Sequence, residues 1–89
     1  MKKVTELNWE PHSAGCGGER AVETFPNRYF ASCIRGGPFY TKNGTYEIAV
    51  CHPDTGVCYD TPITSDVLGY LSEEEANQAL IDIAALPPR

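Results

Sequence analysis

From Asn43 to its last residue the chain carries one basic side chain, Arg89, against eight acidic ones. Phosphate binding rests on Lys and Arg, so this shortage argues against a direct nucleic-acid role. No apolar run approaches the roughly 20 residues of a membrane span, so no membrane partner is expected. A nucleotide fingerprint is also missing. The loop Ala14-Gly15-Cys16-Gly17-Gly18 is followed by Glu19-Arg20, not by the Lys and Ser/Thr of a phosphate loop.

Metal spacing is incomplete. His12 and Cys16 are separated by three residues and Cys51 and Cys58 by six, whereas structural zinc sites place two close pairs of ligands. Cys51 and His52 are neighbours, so in a strand they point to opposite faces and cannot form a nucleophile–base pair. With no catalytic constellation, the sequence predicts a protein that is not an enzyme and uses no cofactor. Met1-Lys2-Lys3 is basic, but Val4-Thr5-Glu6-Leu7-Asn8 is not the apolar segment of an export signal. The expectation is a cytoplasmic protein with reduced thiols.

What is present fits one domain over residues 1–89. Apolar residues make up 42% of the chain and charged ones 21%, a balance that favours a folded core over disorder. Val4 to Glu10 alternates apolar and polar side chains and reads as a short strand. Pro11 to Gly18 reads as a loop. Arg20 to Phe25 and Tyr29 to Arg35 read as strands about a Pro26-Asn27 turn. Phe39 to Lys42 reads as a short edge segment, and Asn43-Gly44 is a type I′ turn signal. Tyr46 to His52 is the clearest strand, with Tyr46, Ile48, Val50 and His52 on one face. Pro53-Asp54-Thr55-Gly56 reads as a four-residue turn and Val57 to Thr61 as the returning strand. That register sets Cys51 opposite Cys58 and puts Cys58 and His52 on opposite faces.

Between Pro62 and Leu71, Ser65 is placed to cap a helical turn through Leu68 that Gly69 ends. Ser72 with Glu75 three residues later is a capping box. Ala76, Ala79, Leu80, Ile83 and Ala84 then line one face of a helix from Glu73 to Leu86, which Pro87-Pro88 stops. Strands followed by a helix point to an α+β fold: an antiparallel β-meander of four to five strands packed against one C-terminal α-helix.

Charge is divided unevenly along this framework. Residues 1–42 hold six basic against four acidic side chains, or +2. Residues 43–89 hold one against eight, or −7, which together give the −5 of the whole chain. Asp60, Asp66, Glu73, Glu74, Glu75 and Asp82 are therefore the candidate partner-binding residues, presented as an acidic face to a protein partner with a basic surface. Two alternatives stay open. One is a small zinc-stabilised or redox-sensitive domain using Cys16, Cys33, Cys51 and Cys58. The other is a structural or oligomerising module. The isolated chain is read as a monomer or small homo-oligomer.

The segments Tyr46-Glu47-Ile48-Ala49-Val50 and Tyr59-Asp60-Thr61-Pro62-Ile63-Thr64-Ser65-Asp66, continuing through Val67-Leu68-Gly69-Tyr70-Leu71 to Ser72-Glu73-Glu74-Glu75, resemble short proteins encoded by phages and mobile elements. In size and acidity the chain is similar to anti-CRISPR proteins. That resemblance implies a non-enzymatic inhibitor docking on a nucleic-acid-handling surface of a host complex, in the host cytoplasm, and it carries over no individual residues.

Overall fold

The computed structural model describes residues 3–11, 17–36, 44–58, 61, 63 and 67–88. Among the described residues, six strands form one antiparallel sheet: β1 (Glu10–Pro11), β2 (Glu19–Thr24), β3 (Phe30–Arg35), β4 (Tyr46–His52), β5 (Gly56–Val57) and β6 (Leu68–Leu71). One helix, α1 (Glu73–Ala84), follows. The sheet runs β1-β2-β3-β4-β5, and β6 also pairs with β4. Because β5 pairs at Cys51–His52 and β6 at Tyr46–Ile48, the two short strands share one edge of β4. This is the α+β architecture expected, an antiparallel sheet with a C-terminal helix.

Strand alternation decides the two faces. On β3 and β4, Ala31, Cys33, Tyr46, Ile48 and Val50 are buried and join Ala76, Ala79, Leu80 and Ile83 of α1 in one core. Ala76 and Ala79 are the small members of the core where α1 meets β4. At the start of α1, Glu75 N–H donates to Ser72 Oγ at 3.1 Å and Ser72 N–H to Glu75 Oε1 at 3.0 Å, which closes the expected capping box.

Three local readings change. Val4–Glu6 is a 3-10 turn instead of a strand, and only Glu10 and Pro11 pair. Val4 and Leu7 are three residues apart and both are buried, a spacing that puts them on one face of a helical turn and would put them on opposite faces of a strand. The turn is held by Lys3 N–H donating to Glu6 Oε1 at 2.7 Å and Val4 N–H to Asn77 Oδ1 at 2.7 Å.

The second change is register. Gly56 adopts φ +71° and pairs opposite His52, so Val57, not Cys58, faces Cys51. Cys58 N–H instead donates to Val50 O at 2.7 Å. A one-residue shift turns every side chain over, and Cys58 therefore enters the core on the His52 side.

The third is Leu68–Leu71, which is strand β6 and not the end of a helical turn. It supplies backbone partners to the half of β4 that β5 leaves open. Tyr70 at φ +55° and a register irregularity opposite Tyr46–Ile48 break its alternation, so no strand pattern shows in the sequence. Phe39–Lys42, Asn43 and Ser65 lie outside the described residues, though Gly44 does take φ +76°.

A candidate partner-binding groove

The capping box and the phase of α1 decide where its carboxylates go. At 3.6 residues per turn, Glu75 and Asp82 project within about 20° of each other, while Glu73 and Glu75 are roughly 160° apart. The structure accordingly brings Glu75 and Asp82 together on one flank of α1, where both line a groove of about 530 Å³. Glu73 and Glu74 are exposed on α1 and do not line it. Asp60 and Asp66 lie outside the described residues.

The groove lies between α1 and the side chains of Ile63 and Leu68. Ile63 and Leu68 form one wall and the buried Ala79 and Leu86 its base. Gln78 joins Glu75 and Asp82 on the exposed rim. Gln78 Nε2 donates to Asp82 Oδ1 at 2.9 Å, which fixes that carboxylate in place. The hydrogen bonds from Ser72 hold the Glu75 carboxyl below its ordinary value, so it is ionised at neutral pH. Among the described residues, no Lys or Arg lies within ion-pair distance of Glu73, Glu74, Glu75 or Asp82: Arg28 pairs with Asp54 at 3.5 Å and Arg35 with Glu19 at 2.9 Å.

The groove's apolar members escaped sequence reading. Ile63 and Leu68 lie outside α1 and join it only in the fold. Gln78, Ala79, Asp82 and Leu86 follow Glu75 at intervals of three, four, seven and eleven, which marks one helix flank.

The cysteines are not gathered. Cys33 and Cys58 are in the core beneath α1, whereas Cys51 pairs opposite Phe30 on the other face of the sheet. Among the described residues no three His, Cys, Asp or Glu side chains are grouped as a metal site would need, and Cys16 lies outside them. Burial, reinforced by the Glu23 carboxylate, pushes the Cys33 thiol up to about 12. Burial also raises Cys51, with Cys58 adding to it. Neither thiol is poised as a nucleophilic thiolate.

His52 and Cys58 share the core face, contrary to the expectation from the turn. At 1% and 2% exposure they are closed to any substrate. His52 Nδ1 accepts from Asp54 N–H at 3.2 Å and its ring meets Tyr29 edge-on at 5.4 Å. Its Nε2 has no hydrogen-bond partner among the described residues. Tyr29 is itself buried, and Arg35 stacks 4.2 Å over Trp9. Among the described residues no helix is long and apolar enough to cross a membrane. Compared with known proteins, the chain matches no family model, no curated protein and no solved structure.

Proposed function

We propose that this chain is a non-enzymatic binding protein that docks the acidic flank of α1 onto a basic surface of a protein partner, in the manner of a phage-type inhibitor that covers a nucleic-acid-handling surface. The observation that supports it is the placing of Glu75 and Asp82, unpaired with any described cation, on the rim of an apolar groove. Lys and Arg side chains are apolar along their stems and charged at their heads. Such a side chain lays its stem along Ile63, Leu68 and Ala79 and its head beside a carboxylate. The net charge of −5 adds long-range attraction for a basic partner and raises the encounter rate.

The test uses the isosteric pair Glu75→Gln with Asp82→Asn. Gln at the third helical position preserves the capping box, and Asn retains an acceptor for Gln78, so both charges go while the helix stays. Affinity capture from a host lysate is run with wild type and the double variant, at low and high salt. A specific partner retained by wild type at low salt, and lost both at high salt and with the double variant, is the expected result. A partner captured equally under all four conditions overturns the reading.

A further inference from the structure

The face of the sheet turned away from α1 has a regular composition. Arg20 pairs opposite Ile34 and Ile34 opposite Glu47, forming one row across β2, β3 and β4. The next row is Val22, Ser32 and Ala49, and the next Thr24, Phe30 and Cys51, with Val57 beside Cys51. This face is apolar along its middle, and Val22 is 44% exposed. Its charges stand on either side of β3: Arg20 on β2 and Glu47 on β4.

We propose that this face packs against the same face of a second copy of the chain, about a twofold axis running along β3. Such an axis exchanges the β2 side with the β4 side and leaves position along the strand unchanged. Arg20 of each copy then stands over Glu47 of the other, twice per dimer, and Phe30 and Ile34 meet their own counterparts on the axis. No other placing of two like faces with the strands aligned sets both charges against opposite partners.

The dimensions are consistent with contact. Packed sheets lie about 10 Å apart, a gap that an Arg and a Glu side chain span together. β2 and β4 are only about 4.8 Å from β3, so an inter-sheet rotation of about 30° moves the charged residues by only about 2–3 Å. Arg20 Nε already donates to Ser32 Oγ at 3.1 Å, which lays the side chain across the face. Its two terminal amino groups have no partner among the described residues. Glu10, opposite Arg20 on β1, falls at the rim over the uncharged β6 of the other copy.

Three strands of about 20 Å at a spacing of about 4.8 Å, with the short β1, β5 and β6 at their sides, give a face of about 400 Å² per copy. That is at the small end for specific interfaces, so the dimer is a weak one. The pairing is independent of the groove beside α1, which stays open on the opposite side of the molecule.

Sedimentation equilibrium of the full chain, from micromolar to millimolar concentration, is the test, with circular dichroism confirming that each variant is folded. Wild type is expected to show a monomer–dimer equilibrium. Arg20→Glu and Glu47→Arg are each expected to weaken it by at least about tenfold, since like charges then face each other. The double exchange R20E/E47R is expected to recover it to within about threefold. Val22→Lys, at an exposed position that needs no repacking, is expected to abolish it even if a charge reversal disturbs folding. A monomer at every concentration, as when a different protein covers this face, overturns the proposal. So does a dimer that is indifferent to Val22→Lys, or single reversals that the double exchange fails to rescue.

Discussion

The side-chain amide of Asn27, in the turn between β2 and β3, donates to the carbonyl oxygen of Ile83 at the end of α1 across 2.9 Å. The same Nδ2 reaches Leu86 O at 2.9 Å and Ala84 O at 3.3 Å, while Oδ1 accepts from Tyr29 N–H at 3.0 Å. A helix leaves its last carbonyls without intrahelical partners. Here a residue 56 positions earlier supplies them, and so joins the sheet to the helix at the end opposite the capping box.

Asn27→Ala is expected to destabilise the domain by about 2–3 kcal/mol, because buried carbonyls and the Tyr29 N–H lose their partner together. Asn27→Asp is expected to be worse despite its equal size. A carboxylate cannot donate, and it stands against the negative end of the helix dipole. Urea unfolding of both variants at neutral pH checks the order; an Asp variant more stable than the Ala variant contradicts it.

Acid should loosen the other end of α1. The carboxyl of Glu75 is lowered in the folded state by hydrogen bonds from Ser72. Its contribution is therefore complete above the unfolded glutamate value of about 4.3 and lost as pH falls through the lower folded value. Carbon-detected NMR titration should find Glu75 protonating below the ordinary glutamate range, with fraying at Ser72–Glu75 below it. In the Glu75→Gln variant that fraying should be missing.

Thiol reactivity tests the burial of Cys33 and Cys51. With Cys33 pushed up to about 12 by burial and Cys51 also raised, alkylation of both in the native protein near pH 8 should be limited by unfolding. Peptide mapping by mass spectrometry follows each site. Modification of Cys33 at the rate of an exposed thiol would contradict the buried assignment.

Two hairpin positions have left-handed backbone with different residues in them. Gly56 has φ +71°, and an added Cβ would meet nothing within 4 Å, so Gly56→Ala tests backbone strain alone. A loss of about 1–2 kcal/mol is expected. Arg28 has φ +75° with a side chain present. Arg28→Gly relieves that strain but adds chain entropy and removes an exposed ion pair worth at most about 1 kcal/mol. The expected change lies between zero and a gain of about 1 kcal/mol. Thermal denaturation should move in opposite directions, or not at all for Arg28→Gly; a large loss there would contradict the strain argument.

Much of this arrangement was legible locally. The Ser72–Glu75 box needs only four residues in order, and the β4 alternation from Tyr46 to His52 needs only period two; both are present as read. What escaped depends on distant partners. Nothing near Asn27 marks it as the cap of a helix that begins beyond residue 70. Whether Gly56 counts as turn or strand decides the face of Cys58, and a glycine fits either role. Leu68–Leu71 gains its strand geometry from the open edge of β4, while its own sequence, interrupted at Gly69-Tyr70, has no period. The acidic residues were legible by type, but their distribution around α1 required the helix phase: Glu75 and Asp82 converge while Glu73 turns away.

The docking account is tested most directly by an amide NMR titration with the partner identified by salt-sensitive capture. Shifts and line broadening are expected to concentrate on Ile63, Leu68, Glu75, Gln78, Ala79 and Asp82, and to vanish with Glu75→Gln and Asp82→Asn together. Perturbations confined to Val22, Ser32 and Ala49 on the far face of the sheet, with the groove silent, would contradict it.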